Sequence, residues 1–266
     1  MLKDRVVTAV ILIAGFLAAL FFAPESLWIA LIALVAGLAA WEWCGLVRVA
    51  GALRPAFVVA TALLCAVLGS GVGTSAASVV VHGAGLAFWG LVVPPWLARG
   101  WQVAPAAGLL TGWLVIVPTA LALVELRAVD AWLLLAVMAL VWVADSAAYF
   151  TGRAFGRVKL APAISPGKTR EGAWGAIAGV FVCGMLLHAV TGLGSDDIPW
   201  PLLAIFLPVF AVLSIVGDLF ESLLKRQAGL KDSGTLLPGH GGVLDRIDSL
   251  TSTMPLVALI ALLAGW

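Results

Sequence analysis

The feature that most limits this chain is a succession of uninterrupted apolar runs, most near the ~20 residues that a helix needs to cross a bilayer. Nine are read from the sequence: roughly 6–23, 27–47, 55–70, 75–93, 104–124, 129–150, 172–192, 200–224 and 250–266. Inside hydrocarbon the backbone must satisfy its own hydrogen bonds, which leaves helices or closed barrels. A barrel alternates apolar and polar residues, and these runs do not. Composition agrees, with 63% hydrophobic and 11% charged residues and a mean hydropathy of +1.13. A water-soluble globule cannot hide so much apolar surface, so a soluble enzyme, a disordered chain and a disulfide scaffold are excluded. The expected fold is all-α, a polytopic integral membrane protein of about nine transmembrane helices. The first run follows Lys3 and Arg5 and reads as an uncleaved helix rather than a signal peptide. The third ends in Gly69–Gly73, which suits a loop or a broken helix.

Basic residues set the orientation. If nine spans alternate sides, fourteen of the fifteen Lys and Arg residues fall on one side and Arg127 alone on the other. The positive-inside rule makes the rich side cytoplasmic, with the N-terminus in and the C-terminus out. The opposite side collects Glu25, Glu125, Asp130, Asp196 and Asp197. A net charge of +1 gives no reason to expect nucleic acid as a partner. Cys44, Cys65 and Cys183 lie far apart in apolar runs and read as buried small hydrophobes. His82 and His188 read as helix–helix polar contacts.

Charge concentrates late in the chain. Residues 1–128 read as transmembrane scaffold, and residues 129–266 as a catalytic region with cytosolic loops at 151–171 and 225–249. In the first constellation Asp145 and Tyr149 share one helix face, four residues apart. Asp145 lies about 12 Å deeper than Arg153 at 1.5 Å per residue. A carboxylate there faces a watered cavity or a partner, or belongs to a structural ion pair. The second constellation, Ser165-Pro166-Gly167-Lys168-Thr169-Arg170-Glu171-Gly172, is rich in turn formers and opens a helix. Its N–H groups, with Lys168 and Arg170, could cradle phosphate, or it is simply a basic loop; it is not a Walker A motif.

The third constellation carries most of the signal. Asp218, Glu221, Ser222 and Lys225 form a polar stripe at i, i+3, i+4 and i+7. Lys231-Asp232, the glycine-flanked His240, and Asp245-Arg246-Ile247-Asp248 follow. The loop returns the chain to the same membrane face, so Asp218 and Asp245 can meet in one cavity. Carboxylates from different helices repel unless a cation joins them, and oxygen-only ligands suit Mg²⁺. Lys225, Arg226, Lys231 and Arg246 suit phosphate oxygens. Acid, metal and base together fit phosphoryl or nucleotidyl transfer. The plain alternative is a solvated loop, and His240 has no second His or Cys to make a Zn²⁺ site.

The run Ser222-x-Leu224-Lys225-Arg226-x4-Lys231-Asp232-x-Gly234-x2-Leu237-Pro238-x-His240-Gly241-Gly242-Val243-x-Asp245-Arg246-Ile247-Asp248 resembles the signature of phosphatidate cytidylyltransferases, also called CDP-diacylglycerol synthases. The stretches around Asp145, Tyr149 and Arg153 and around Ser165, Lys168 and Thr169 resemble the same family. The resemblance implies transfer of CMP from CTP to phosphatidic acid, giving CDP-diacylglycerol and pyrophosphate, by a homodimer in contact with membrane lipids. It implies Mg²⁺ held by Asp218 and Asp245, a second cation being left open. Lys225, Arg226, Arg246 and Asp248 would serve catalysis. Ser165, Lys168, Thr169, Lys231, His240, Asp145 and Tyr149 would bind the nucleotide and its metal. The expected location is a bacterial inner membrane, with the site facing the cytoplasm. A CTP-dependent polyprenol or lipid-alcohol kinase is the runner-up, and a transporter with a polar gate follows.

Overall fold

A computed structural model describes residues 2–72, 75–191, 199–236, 239 and 241–265, the side chains of 2–9, 72 and 75 excepted. The chain is almost wholly helical. In order, it runs α1 (Leu2–Phe22), α2 (Glu25–Leu46), α3 (Leu53–Val67), α4 (Ser75–Ala87), α5 (Val93–Arg99), α6 (Pro105–Val129) and α7 (Ala131–Phe155). A hairpin of β1 (Lys159–Ala161) and β2 (Ser165–Thr169) follows, then α8 (Arg170–Thr191), α9 (Trp200–Ala228) and α10 (Leu244–Ala264). Among the described residues eight helical segments are long and apolar enough to cross a membrane, and Val10–Phe22 of α1 adds a shorter apolar helix. The protein is therefore an all-α polytopic membrane protein.

Helix ends follow local chemistry. Proline opens α6 and α9 near their first positions, where its missing N–H is not needed. Asp130 alone separates α6 from α7; it is extended, and its Oδ1 accepts from Trp132 N at 2.5 Å and Leu133 N at 3.2 Å, an N-cap. Gly229, at φ 76°, ends α9, with Leu230 N donating to Lys225 O at 2.8 Å, as left-handed caps do. Arg127 closes the end of α1 by donating to Leu20 O at 2.8 Å and to Ala23 O.

Several spans are longer than the hydropathy read. A π-helical turn, Leu68–Val72, extends α3 and contains Gly71 at φ 76°, so the glycine run breaks the helix as expected. A second π turn, Phe88–Val92, joins α4 to α5 and carries that span to Arg99. The loop expected at 225–249 shrinks to 229–243, because α9 continues to Ala228 and α10 begins at Leu244. Asp245 and Asp248 are thus in the first turns of a helix. The loop expected at 151–171 is an extension of α7 to Phe155 and then the hairpin, with Lys159 opposite Thr169 and Ala161 opposite Ser165.

Aromatic packing anchors α9. Phe220 is fully buried, and the rings of Phe88, Trp89 and Trp96 meet it edge-on at centroid distances of 5.7, 5.5 and 5.2 Å. Such contacts fix the rotation of the helix that carries Asp218 and Glu221. Cys44 and Cys65 are buried, but Cys183 is exposed; α8 turns that face outward, which corrects the reading of all three as core. His82 is buried and meets Glu125 Oε2 at 2.7 Å. His188 is buried edge-on to Trp200.

Candidate active site

Helices α7, α8 and α9 and the hairpin enclose a cavity of about 410 Å³. From α7 come Asp145 and Tyr149, two rungs of the same face. The hairpin contributes Lys168 and Thr169, and α9 contributes Ser214 and Asp218. Asp145 and Asp218 stand among apolar side chains of the cavity wall. Ala144 and Ala148 flank Asp145, and Ile215 lies one turn from Asp218. Ser214 Oγ is buried and has no hydrogen-bond partner, a polar atom left for a ligand.

Lys168 forms an ion pair with Asp218, each side chain being about a quarter to a third exposed. Ser222 Oγ donates to Asp218 Oδ1 at a long 3.4 Å. Tyr149 OH accepts from Arg153 Nη1 at 3.0 Å. Two bonds fix the hairpin against α8 and α9. Gly172 N donates to Thr169 Oγ1 at 3.1 Å, making Thr169 the N-cap of α8. Arg226 Nε donates to Ile164 O at 3.3 Å. The helix-start N–H groups of Arg170 and Gly172 are therefore already engaged, by Val158 O and Thr169, and are not the phosphate cradle the sequence suggested. Lys168 projects into the cavity instead; Arg170 is exposed.

A second cluster joins the end of α9 to the start of α10. Lys225 Nζ lies 2.8 Å from Glu221 Oε2 and 2.6 Å from Asp245 Oδ1. Asp245 Oδ2 accepts from Ser233 N at 2.9 Å and Gly242 N at 2.8 Å and lies 3.0 Å from Ser233 Oγ. Asp248 Oδ1 accepts from Ser249 N at 2.7 Å, and the charges of Asp218, Glu221 and Asp145 act on its carboxyl. Three carboxylates, from α7 and α9, thus lie within electrostatic reach of Asp248 on α10. Asp245, like Glu221 and Asp248, is not in the cavity wall; Lys225 lies against it and joins it to Glu221. Asp218 thus lines the cavity, and Asp245 meets Lys225, which also pairs with Glu221 one turn beyond Asp218 on α9. Lys231 and Arg246 are exposed and pair with no carboxylate among the described residues. Ser165 opens β2 outside the cavity wall. His240, with Leu237 and Pro238, lies outside the described residues, as do Asp196 and Asp197.

The donors suit a hard divalent cation in kind. They are all oxygens and they repel one another. Among the described residues no three acidic, His or Cys side chains form a ready-made metal cage. Mg²⁺ does not require one, since it usually takes one or two carboxylates and completes its shell with water and substrate phosphate.

Three polar residues escaped the sequence reading, Ser214 in the cavity wall and two beside Asp245. Glu42, on α2, is 2% exposed and reaches the start of α10. Ser233 is buried between Glu42 and Asp245. Glu42 had one legible signal, a lone acid between two tryptophans within an apolar run.

The family model described as the Cytidylyltransferase family matches residues 3–264. A phosphatidate cytidylyltransferase of Pseudomonas aeruginosa is 39% identical over an alignment covering 100% of this chain and 99% of the relative. That of Haemophilus influenzae is 39% identical, covering 96% of each. That of Bacillus subtilis is 48% identical over 46% of this chain and 45% of its own.

Proposed function

The chain belongs to the cytidylyltransferase family, and from that premise we propose that it transfers CMP from CTP to phosphatidic acid, releasing pyrophosphate. It is a nucleotidyltransferase embedded in a membrane. The observation that carries the substrate reading is the cavity between α7, α8 and α9. An ion pair, a second carboxylate and an unpartnered hydroxyl are gathered there between otherwise apolar helices. The named relatives, all bacterial, support the same reading.

In the proposed reaction a phosphate oxygen of the lipid attacks the α-phosphorus of CTP. A new P–O bond forms there, and the bond from that phosphorus to the bridging oxygen of the β,γ-unit breaks. A phosphate monoester is largely ionised near neutral pH, so no strong base is needed. The main barrier is the approach of two anions. Lys168 lowers it by exchanging Asp218 for a substrate phosphate, and Lys225, Arg226 and Arg246 supply further cations near the same face. Asp218 would hold Mg²⁺, with Asp248 beside it. Among the described residues Asp245 Oδ1 bonds Lys225 alone, which leaves a lone pair for the cation. When bound, the ion would join the carboxylates to substrate phosphate and neutralise charge developing on the transferred group.

The Lys and Arg distribution supports a cytosolic site and an N-terminus on that side, in a bacterial inner membrane. CTP is cytosolic, and phosphatidic acid reaches the same level from the bilayer. A homodimer remains part of the proposal. The test uses purified protein in detergent with CTP labelled at the α-phosphate, phosphatidic acid and Mg²⁺. Label is expected in the lipid phase, dependent on phosphatidic acid and abolished by EDTA. Lipid labelling that persists without added phosphatidic acid, or none in folded protein, would contradict the proposal.

A further inference from the structure

Helix α10 begins at Leu244 after Val243, which offers no side-chain cap. The first N–H groups of a helix need acceptors, usually from a Ser, Thr, Asp or Asn just before it. Here the acceptor comes from the far end of the chain. Glu42 Oε1 accepts from Val243 N at 2.9 Å, and Glu42 Oε2 accepts from Leu244 N at 2.9 Å and from Ser233 Oγ at 2.9 Å. The carboxylate fits because Gly234 and Gly242 flank it. A Cβ on either would lie 2.7 Å from Glu42 Cδ, too close for any side chain.

Ser233 links this buried acid to the site. Its hydroxyl also lies 3.0 Å from Asp245 Oδ2, and Asp245 N points back to the same hydroxyl at 3.3 Å. Glu42 touches neither Asp245 nor the cavity wall, yet it bonds the serine and the helix turn that hold Asp245. The geometry points to Glu42 as a positioning residue for Asp245: from α2 it fixes Ser233 and the first turn of α10, and so sets the direction in which Asp245 presents Oδ1 to Lys225. This rests on the proposed function only in taking Asp245 and Lys225 to serve turnover. A carboxylate is required because both oxygens accept; an amide would turn an NH₂ toward at least one of the three donors.

The test compares wild type, Glu42→Gln, Ser233→Ala and the double variant as full-length protein in one detergent, by CMP transfer and by hydrogen exchange over residues 241–246. Glu42→Gln is expected to speed exchange of the Val243 and Leu244 amides and to lower kcat, each by at least about tenfold, with KM for CTP changed less than about threefold. Ser233→Ala is expected to lower kcat while those two amides stay protected, since their bonds to Glu42 remain. The double variant is expected to be no slower than Glu42→Gln alone, because both act through one link. Unchanged exchange in Glu42→Gln, wild-type kcat in either single variant, or losses that multiply in the double would each overturn the proposal. Should Glu42→Gln fail to fold, Ser233→Ala decides: reduced kcat supports the link and wild-type kcat overturns it. If folded wild type transfers no CMP, the functional reading fails, and the exchange measurement still decides the positioning role.

Discussion

Lys225 Nζ lies 2.6 Å from Asp245 Oδ1 and joins the last turns of α9 to the first turn of α10. Both side chains are nearly dry, 13% and 7% exposed, and the same ammonium neutralises Glu221. Removing one member of a buried pair leaves an uncompensated charge, a loss of about 3–5 kcal/mol. Lys225→Gln is therefore expected to lower the thermal unfolding midpoint in detergent and to abolish transfer. Adding Glu221→Gln relieves the facing carboxylates and is expected to restore much of the midpoint but not turnover. An unchanged midpoint in Lys225→Gln would contradict the pairing.

The Lys168–Asp218 pair behaves oppositely. It is part-exposed to the cavity, and such pairs contribute about 0–1 kcal/mol to stability. Its value lies in turnover, where losing one electrostatic stabiliser costs roughly 10²–10³ in rate. Lys168→Ala and Asp218→Asn are each expected to unfold near the wild-type midpoint and to lose transfer by about that factor. Wild-type rates in Asp218→Asn would remove the metal assignment.

Gly172 is where α8 meets α7. A Cβ there would lie 2.8 Å from Ala148 O, a backbone atom that cannot step aside, so Gly172→Ala must part the two helices. Overpacking of this kind costs about 1–3 kcal/mol. The expected result is a lower unfolding midpoint together with reduced transfer, because Ala148 and Gly172 both wall the cavity. Thr169→Val removes the α8 cap and is expected to lower stability by about 1 kcal/mol, read in the same melt.

Tyr149 lines the cavity, but it is 58% exposed, and among the described residues its hydroxyl meets Arg153 alone. Tyr149→Phe is expected to reduce transfer by no more than about tenfold, the weight of one hydrogen bond. A larger loss, measured as kcat on purified protein, would give the hydroxyl a part in the reaction.

Much of this architecture was legible because its signals are local. Apolar run length located the helices, and the stripe from Asp218 to Lys225 needed only helical periodicity. Asp145 and Tyr149 also share a cavity wall as their spacing required. The hairpin over Lys159–Thr169 was not legible. Its strands are short and carry Pro166 and Gly167, so neither alternation nor propensity marks them. Hydropathy cut α10 short at residue 250 because its first turn is charged, and that turn is held by Glu42, an acceptor no local pattern predicts. For the same reason the bonds that orient Asp245, from Lys225, Ser233 and Gly242, carry no local signal.

The most direct test of the account is which phosphate of CTP reaches the lipid. Purified protein is given phosphatidic acid, Mg²⁺ and CTP labelled either at the α- or at the γ-phosphate, and the products are separated. The account predicts α-label in the lipid and γ-label in pyrophosphate, both lost in Asp218→Asn. Label from the γ-phosphate in the lipid, with CDP released, would identify phosphoryl transfer and contradict it.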